Sequence, residues 1–484
     1  MLDNLRNSFE EKRTLWLIGG VALFLIIAVI SLVILNSGSK IRIAPPVKVT
    51  LTWWQAGDIR ADQYSEIISN FQKIPGNSGV DIQIQDKNIT DQYYYNLLAD
   101  YARDIAPDIF TLKNDDLPAY KEYLSPIENI KGKALVDYQQ NYVNQAIKDT
   151  MSKDKVFGVT SYVDNLQLFY NKKLLDQNSI TRPPSSWSEL TRQVPQITKK
   201  ALSNDTFLTS TIALGTGGRT PEGSPNIENH YDILPMLIFQ SGANIYDTQN
   251  SSVVFGSDKN SGSKNTFENG NSINNTENDK SSTLKAMQFY LDFSESSTQN
   301  YTWNRNSAKS IDAFTQGNLA YIVQYKSFSD TVKKLNNRLD YDITPIPQLN
   351  ESNQATFGQF YMNVLNRKLS SDQANKIKYQ KAQELMQYMT TKEAQQILAD
   401  KTGLPSANRD VNANQQQGDQ TTRTFAKGAL IANSYYKPDV EATQKIWSDM
   451  FERVQYRNVS LEKSLEESIS DYKRLVNLGP RIRR

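Results

Sequence analysis

Between Val47 and Phe110 the apolar residues alternate between two periods, and no other feature of this 484-residue chain constrains its fold so strongly. Val47, Val49, Leu51 and Trp53 alternate with Lys48, Thr50 and Thr52, the period of a half-buried strand. Ile67, Ile68 and Phe71 follow helical spacing up to the Pro75-Gly76 break. Val80, Ile82 and Ile84 mark a second strand, and Tyr94, Leu97, Leu98, Tyr101 and Ile105 a second helical stripe. Pro107-Asp108-Ile109-Phe110 then begins a third strand. Strand–helix–strand–helix–strand predicts an α/β fold whose parallel strands are joined by right-handed crossovers. Such sheets bind ligands outside the carboxyl ends of their strands. Here those ends carry Trp53-Trp54-Gln55-Ala56-Gly57-Asp58 and Leu112-Lys113-Asn114-Asp115-Asp116.

Composition narrows the chemistry. The chain has no cysteine, which excludes disulfides, thiolate metal sites, cysteine nucleophiles and a lipid-bearing N-terminal cysteine. His230 is its single histidine, and no neighbouring motif supports a zinc site or a Ser–His triad around it. Lys and Arg number 54 against 52 Asp and Glu, a balance that argues against a nucleic-acid partner. No metal and no organic cofactor is expected.

Leu15 to Leu35 is uncharged and apolar throughout, and as a helix it would extend about 31 Å, the thickness of a bilayer core. A cleaved signal peptide is the competing reading, but its apolar region is ordinarily shorter. Basic residues flank both ends (Arg6, Lys12, Arg13; Lys40, Arg42, Lys48), so orientation follows from the long polar region behind a single span. Residues 1–14 are therefore expected in the cytoplasm, 15–35 as a transmembrane anchor, 36–46 as a linker, and the remainder outside the cell. Residues 257–282, rich in Asn and Ser, read as a flexible surface insertion. Asn408 to Gln420 reads as a loop.

The later chain is mainly helical. Thr443, Ile446, Trp447, Met450, Phe451 and Val454 form one broad stripe, while Tyr341 to Ile346 and Phe360 to Leu365 read as strands. The ordered set VTLTWWQAGD, APDIF, VFGVTSYVDNLQLFYNKKLL, RPPSSWSEL, LIFQSGANIYD, SIDAFTQGNLAYIV, YDITPIPQL and TGLPSANRD resembles the extracellular solute-binding proteins of ABC importers, the family that includes maltose-binding protein. The resemblance runs from about Val47 to Leu478. It implies a two-lobed, periplasmic-binding-protein-like fold with hinge-crossing strands. Residues 47–163 and 324–367 would form lobe one, and 164–323 with 368–484 lobe two.

The same resemblance implies that aromatic rings stack on a sugar and that carboxylates take its hydroxyls. Asp164, on the first crossing beside Tyr162, matches a position where family members carry a ligand-binding carboxylate. Trp54 is a candidate for lining the cleft, whereas Trp53 continues the inward alternation of the core. Asp58 and Asp115 are either ligand contacts or solvated turn residues. Trp303, Tyr325, Tyr436 and Trp447 are further candidates for stacking, although Trp447 also belongs to an apolar helical stripe. Tyr325-Lys326-Ser327-Phe328 stands where the family often has Gly and Trp, so the stacking surface there differs.

The reading that follows is a membrane-anchored receptor that delivers a polar solute, an oligosaccharide, to a separate ABC permease. The chain contains no GxxxxGK[ST] motif with which to power transport itself. An anchored carbohydrate hydrolase using Asp115, Asp116 or Asp164 as paired acids, and a sensor module uncoupled from transport, are the alternatives.

Overall fold

A computed structural model of the chain describes residues 48–201, 205–217, 225–248, 250–257, 279–371 and 375–482. The expected cytoplasmic N-terminus (1–14), the anchor (15–35), the whole linker (36–46) and most of the Asn-rich insertion lie outside the described residues. Among the described residues no helix is long and apolar enough to cross a membrane.

The N-terminal alternation forms β1 (Val49–Ala56), α1 (Ser65–Lys73), β2 (Val80–Lys87), α2 (Asp91–Ala102) and β3 (Ile109–Lys113), except that Ile105, read as the end of the second helical stripe, lies beyond α2 and is exposed. β1 lies between β2 and β3 and runs parallel to both, with Trp53 opposite Ile84 and Ile109. Leu51 and Trp53 point into the core and are almost wholly buried. The strand Tyr361–Asn366 then joins β3 antiparallel and carries Leu124–Ser125 and Gly158–Val159, so the first sheet is mixed.

A second sheet has the order 199–200, 207–212, 319–324, 167–171, 341–344. Only Phe207–Ile212 and Leu319–Gln324 pair in parallel; the other neighbours are antiparallel. Each sheet has its own hydrophobic core. The first gathers residues from Leu51 to Val163 and from Phe360 to Ala432, the second residues from Leu166 to Phe357 and from Phe425 to Tyr472.

Three short strands join the two cores and pair with one another: Asp164–Asn165, Thr356–Gln359 and Ala432–Asn433, with the middle one central. Gly358 faces Asn165 and Gln359 faces Asp164 in this small sheet. A Cβ on Gly358 would overlap the Gln145 side chain and come 2.9 Å from Ala432 Cβ, so only glycine lets the three crossings pack this closely.

The return to the first core comes later than expected at residue 324. Tyr341–Thr344 pairs antiparallel with Gln167–Asn171 in the second sheet, and the chain crosses back only between Phe357 and Phe360. The region after 368 is likewise divided. Ala382 to Ala407 packs on the first core, and Tyr435 to Tyr472 on the second. Periodicity identifies a strand but not its partner, so strand 341–344 gave no sign of which sheet it would join. Two smaller boundaries also shift. Asp279–Leu291 is a helix in which Ser282 is buried, so the insertion ends before 279. Arg409–Gln415 is a helix inside the expected loop, with Asn408 Oδ1 accepting the N–H groups of Asp410 and Val411.

Candidate functional site

The carboxyl ends of strands from both sheets converge on the crossing strands. β1 is followed by Gly57, whose φ of +91° suits glycine and turns the chain against the Tyr361 ring. Asp58 follows, and its Oδ2 accepts the Tyr162 hydroxyl at 2.8 Å. The Tyr162 oxygen in turn accepts the Tyr361 N–H at 3.2 Å, tying the end of β1, the approach to the first crossing and the strand after the second crossing together. Asp58 keeps contact with solvent, yet the protein crowding it raises its carboxyl above the ordinary value of 3.8. Tyr162 and the ammonium of Lys113 oppose that rise, and Asp330, from the helix Phe328–Leu335 on the second core, adds to it.

Asp164 is buried with both oxygens engaged. Its Oδ1 accepts N–H groups from Asn165 at 2.8 Å and Lys326 at 2.9 Å, and its Oδ2 accepts that of Ser327 at 3.3 Å. Burial, aided by the neighbouring charge of Asp58, pushes the carboxyl up to about 7 against the pull of these three donors. The carboxylate expected to meet ligand hydroxyls is thus already bonded to backbone.

A second cluster sits beside the first. Lys437 follows the third crossing, and its buried Nζ lies 2.9 Å from Asp115 Oδ2 and 3.6 Å from Asp232 Oδ1. Asp115 comes from the end of β3 on the first core, and Asp232 from the first turn of the helix His230–Gln240 on the second. Tyr325, just after strand 319–324, donates its hydroxyl to Asp232 Oδ2 at 2.8 Å. Lys113 approaches Asp115 at 4.0 Å. Burial alone would lower the lysine and raise the aspartate. The carboxylates instead hold the Lys437 ammonium above its ordinary value, while Asp232 stays raised despite the lysines beside it. Burial followed by the Asp232 charge raises the Tyr325 phenol well above its usual range, so it is a donor at any ordinary pH.

Of the residues singled out in the sequence, Asp58, Tyr162 and Asp164 fall in one cluster, and Asp115 and Tyr325 in the adjoining one. Trp54 is half-buried under the Lys87 ammonium, 4.6 Å from its ring, in a shallow pocket with Asn88, Gln92, Tyr93 and Asn96 that includes none of the carboxylates above. Trp303 and Trp447, expected to stack on ligand, are 2% and 1% exposed and belong to the second core. Trp447 Nε1 donates to the Tyr435 hydroxyl at 2.7 Å, and its ring packs on Phe255. Tyr436 is half-buried against Tyr246, with ring centroids 4.8 Å apart. His230 is structural: its ring nitrogens meet the Ile227 carbonyl and the Ser448 hydroxyl. Lys113 lies in the strand-end segment already singled out, whereas Asp232, Tyr361 and Lys437 were missed, since each lies in a segment whose position in the cleft depends on a distant strand. A lysine between Tyr435-Tyr436 and Pro438 was the one local hint.

The model of a family described as bacterial extracellular solute-binding protein matches residues 66–427. Solved structures share the fold. A cyclic alpha-maltosyl-1,6-maltose binding protein from Arthrobacter globiformis is 14% identical with a TM-score of 0.67, over 89% of this chain and 100% of that one. A sugar-binding protein from Xanthomonas citri is 17% identical with a TM-score of 0.64, over 89% and 98%. The maltose/maltodextrin-binding domain from Bdellovibrio bacteriovorus, bound to maltotriose, is 15% identical with a TM-score of 0.59, over 89% and 100%. No curated protein sequence matches the chain.

Proposed function

Because this chain belongs to the bacterial extracellular solute-binding proteins, we propose that it binds an oligosaccharide of the maltodextrin type between two lobes and delivers it to an ABC permease. The observation that carries this reading is the meeting of Asp58–Tyr162 and Asp115–Lys437–Asp232–Tyr325 at strand ends from two separate cores joined by three short strands. Carboxylates, an ammonium and phenol hydroxyls are the partners that sugar hydroxyls require. Solutes that contact both sides favour the arrangement in which the two cores approach, and the crossing strands are the hinge for that motion. The structurally similar proteins named above add weight, since their descriptions specify a cyclic maltosyl-maltose, a sugar and maltotriose as ligands.

Within this reading Asp58, Asp115 and Tyr325 face the solute, and Asp164 acts on the hinge. Trp54 and Tyr436 are the half-buried aromatic candidates for stacking, and each would first have to exchange its present neighbour, Lys87 or Tyr246, for the solute. Calorimetry of the exported region against maltodextrins, oligopeptides and polyamines tests the ligand class. Heat of binding is expected with a maltodextrin, and tight binding of a peptide or polyamine with no sugar response overturns it.

Anchoring forms part of the proposal. The uncharged run 15–35 holds the receptor at the cell surface, there being no cysteine to carry lipid. The full chain is then expected in the membrane fraction after a high-salt wash. Recovery of a soluble chain beginning near Lys40 would make the run a cleaved signal.

A further inference from the structure

One tryptophan stands apart from the others. Trp53, Trp187 and Trp447 are 1% exposed and Trp303 2%, so among the described residues only Trp54 offers an indole to solvent. Its side chain points to the opposite face of the sheet from Trp53, where the Tyr93 ring of α2 lies 6.2 Å away. Tyr93 is itself held rigidly, its hydroxyl donating to the Thr111 carbonyl at 2.8 Å and accepting the Thr111 N–H at 3.2 Å. Both rings line an open cavity of about 200 Å³ together with Lys87, Asn88, Gln92 and Asn96. Its polar atoms are largely unspent. Gln92 Nε2 donates to Asn96 Oδ1 at 2.7 Å, while Gln92 Oε1, Asn96 Nδ2 and the Asn88 side-chain amide have no partner among the described residues. The Lys87 ammonium, 4.6 Å from the Trp54 ring, makes no ion pair with them either.

An aromatic face for C–H groups, beside free amides and an ammonium for hydroxyls, is the complement of one sugar ring. Cavities for whole ligands ordinarily start at about 300 Å³, so this one suits a single ring at the end of a chain. Lys87 is no barrier. A cation over an exposed ring is held weakly, and once moved aside it has three N–H groups to give. The cavity also lies at the right edge. β1 and β2 run parallel with Lys87 opposite Ala56, at the strand ends from which Asp58 follows. β2 is the edge strand, and β1 and β3 separate it from strand 361–366, which continues the second crossing. Trp54 precedes Asp58 by four residues, a backbone span of at most about 14 Å. We propose that this cavity is an outer subsite, in which Trp54 stacks one further ring of an oligosaccharide whose inner units lie at Asp58, so that the protein favours longer chains. The inference rests on the oligosaccharide reading given above.

Two measurements on the full chain, in a detergent without a sugar headgroup, test it. In the first, affinities for maltotriose and maltoheptaose are compared for the wild type, Trp54→Ala and the double variant Gln92→Ala/Asn96→Ala, whose two positions are exposed. The wild type is expected to bind the heptasaccharide more tightly, and both variants to lose about fivefold more affinity for it than for the trisaccharide. Equal losses for the two sugars, or none, in folded protein overturn the proposal. In the second, acrylamide quenching of Trp54 is read as the difference between wild type and Trp54→Phe. Saturating maltoheptaose should shield the ring more than saturating maltotriose does, and equal quenching with both sugars bound overturns the subsite. If neither sugar binds the wild type, the ligand class and the subsite fall together. Binding of both with no effect of length removes the subsite alone.

Discussion

The Asp164 carboxylate accepts the backbone N–H of Lys326 at 2.9 Å, so a side chain on the first crossing strand holds the turn that opens the helix Phe328–Leu335 on the second core. Ser327 donates to the other oxygen at 3.3 Å. The pair of residues is 162 positions apart in sequence, and the bond ties the first crossing strand to the helix whose Asp330 acts electrostatically on Asp58. In the proposed closure, a residue at this point would set how the second core is oriented on the crossing strands, a positioning role.

Asp164→Ala should therefore cost stability first. Three backbone N–H groups lose their acceptor, a loss of about 2–4 kcal/mol in urea unfolding, with Asp164→Asn recovering part of it. Full stability with affinity reduced about tenfold would instead place the carboxylate in direct contact with ligand.

The pH dependence has a definite sign. Folding raises Asp164 from 3.8 to about 7, so the folded chain holds a proton that the unfolded chain releases. Its contribution is complete below pH 4 and is lost as pH rises through about 7. Asp58 shifts in the same direction. The stability difference between wild type and Asp164→Asn should favour the wild type more at pH 5 than at pH 8, by on the order of 1 kcal/mol in paired denaturant titrations. A constant difference across that range would mean that the three N–H donors keep Asp164 ionised.

Breaking the buried ion cluster from one side should be costly. Asp115→Asn leaves Lys437 facing Asp232 alone at 3.6 Å, and a loss of about 3–5 kcal/mol is expected from removing one partner of a buried pair. The double variant Asp115→Asn/Lys437→Met should cost less than the sum of the single changes. Strict additivity would show that the two groups do not interact.

Gly57→Ala tests the turn that presents Asp58. The substitution requires φ near +91° from an alanine and drives its Cβ to 2.5 Å from Tyr361 Cγ. A loss of about 1–3 kcal/mol in thermal unfolding is expected, together with weaker solute binding, because Tyr361 also holds the Tyr162 hydroxyl. Unaltered binding would separate Asp58 from the site.

What the sequence determined by itself is local. Leu51 and Trp53 alternate with polar neighbours, and Ile67 and Phe71 recur at helical spacing; these periods are set by backbone geometry, so β1 and α1 were legible along with the strand ends that carry Asp58 and Asp115. Tertiary structure decided the rest. Strand 341–344 has an ordinary alternating pattern, and only its hydrogen bonds to 167–171 assign it to the second sheet. Trp303 and Trp447 are aromatic in any reading, and only packing makes them core. Asp164 was visible as a carboxylate at a crossing, but the Lys326 and Ser327 N–H groups that occupy it come from a distant turn. Lys437, Asp115 and Asp232 are each more than a hundred residues from the others in sequence, and their charges interact only after three crossing strands bring both cores together. Coulomb energy and desolvation depend on distance and on surrounding atoms, and neither is written in the order of residues along the chain.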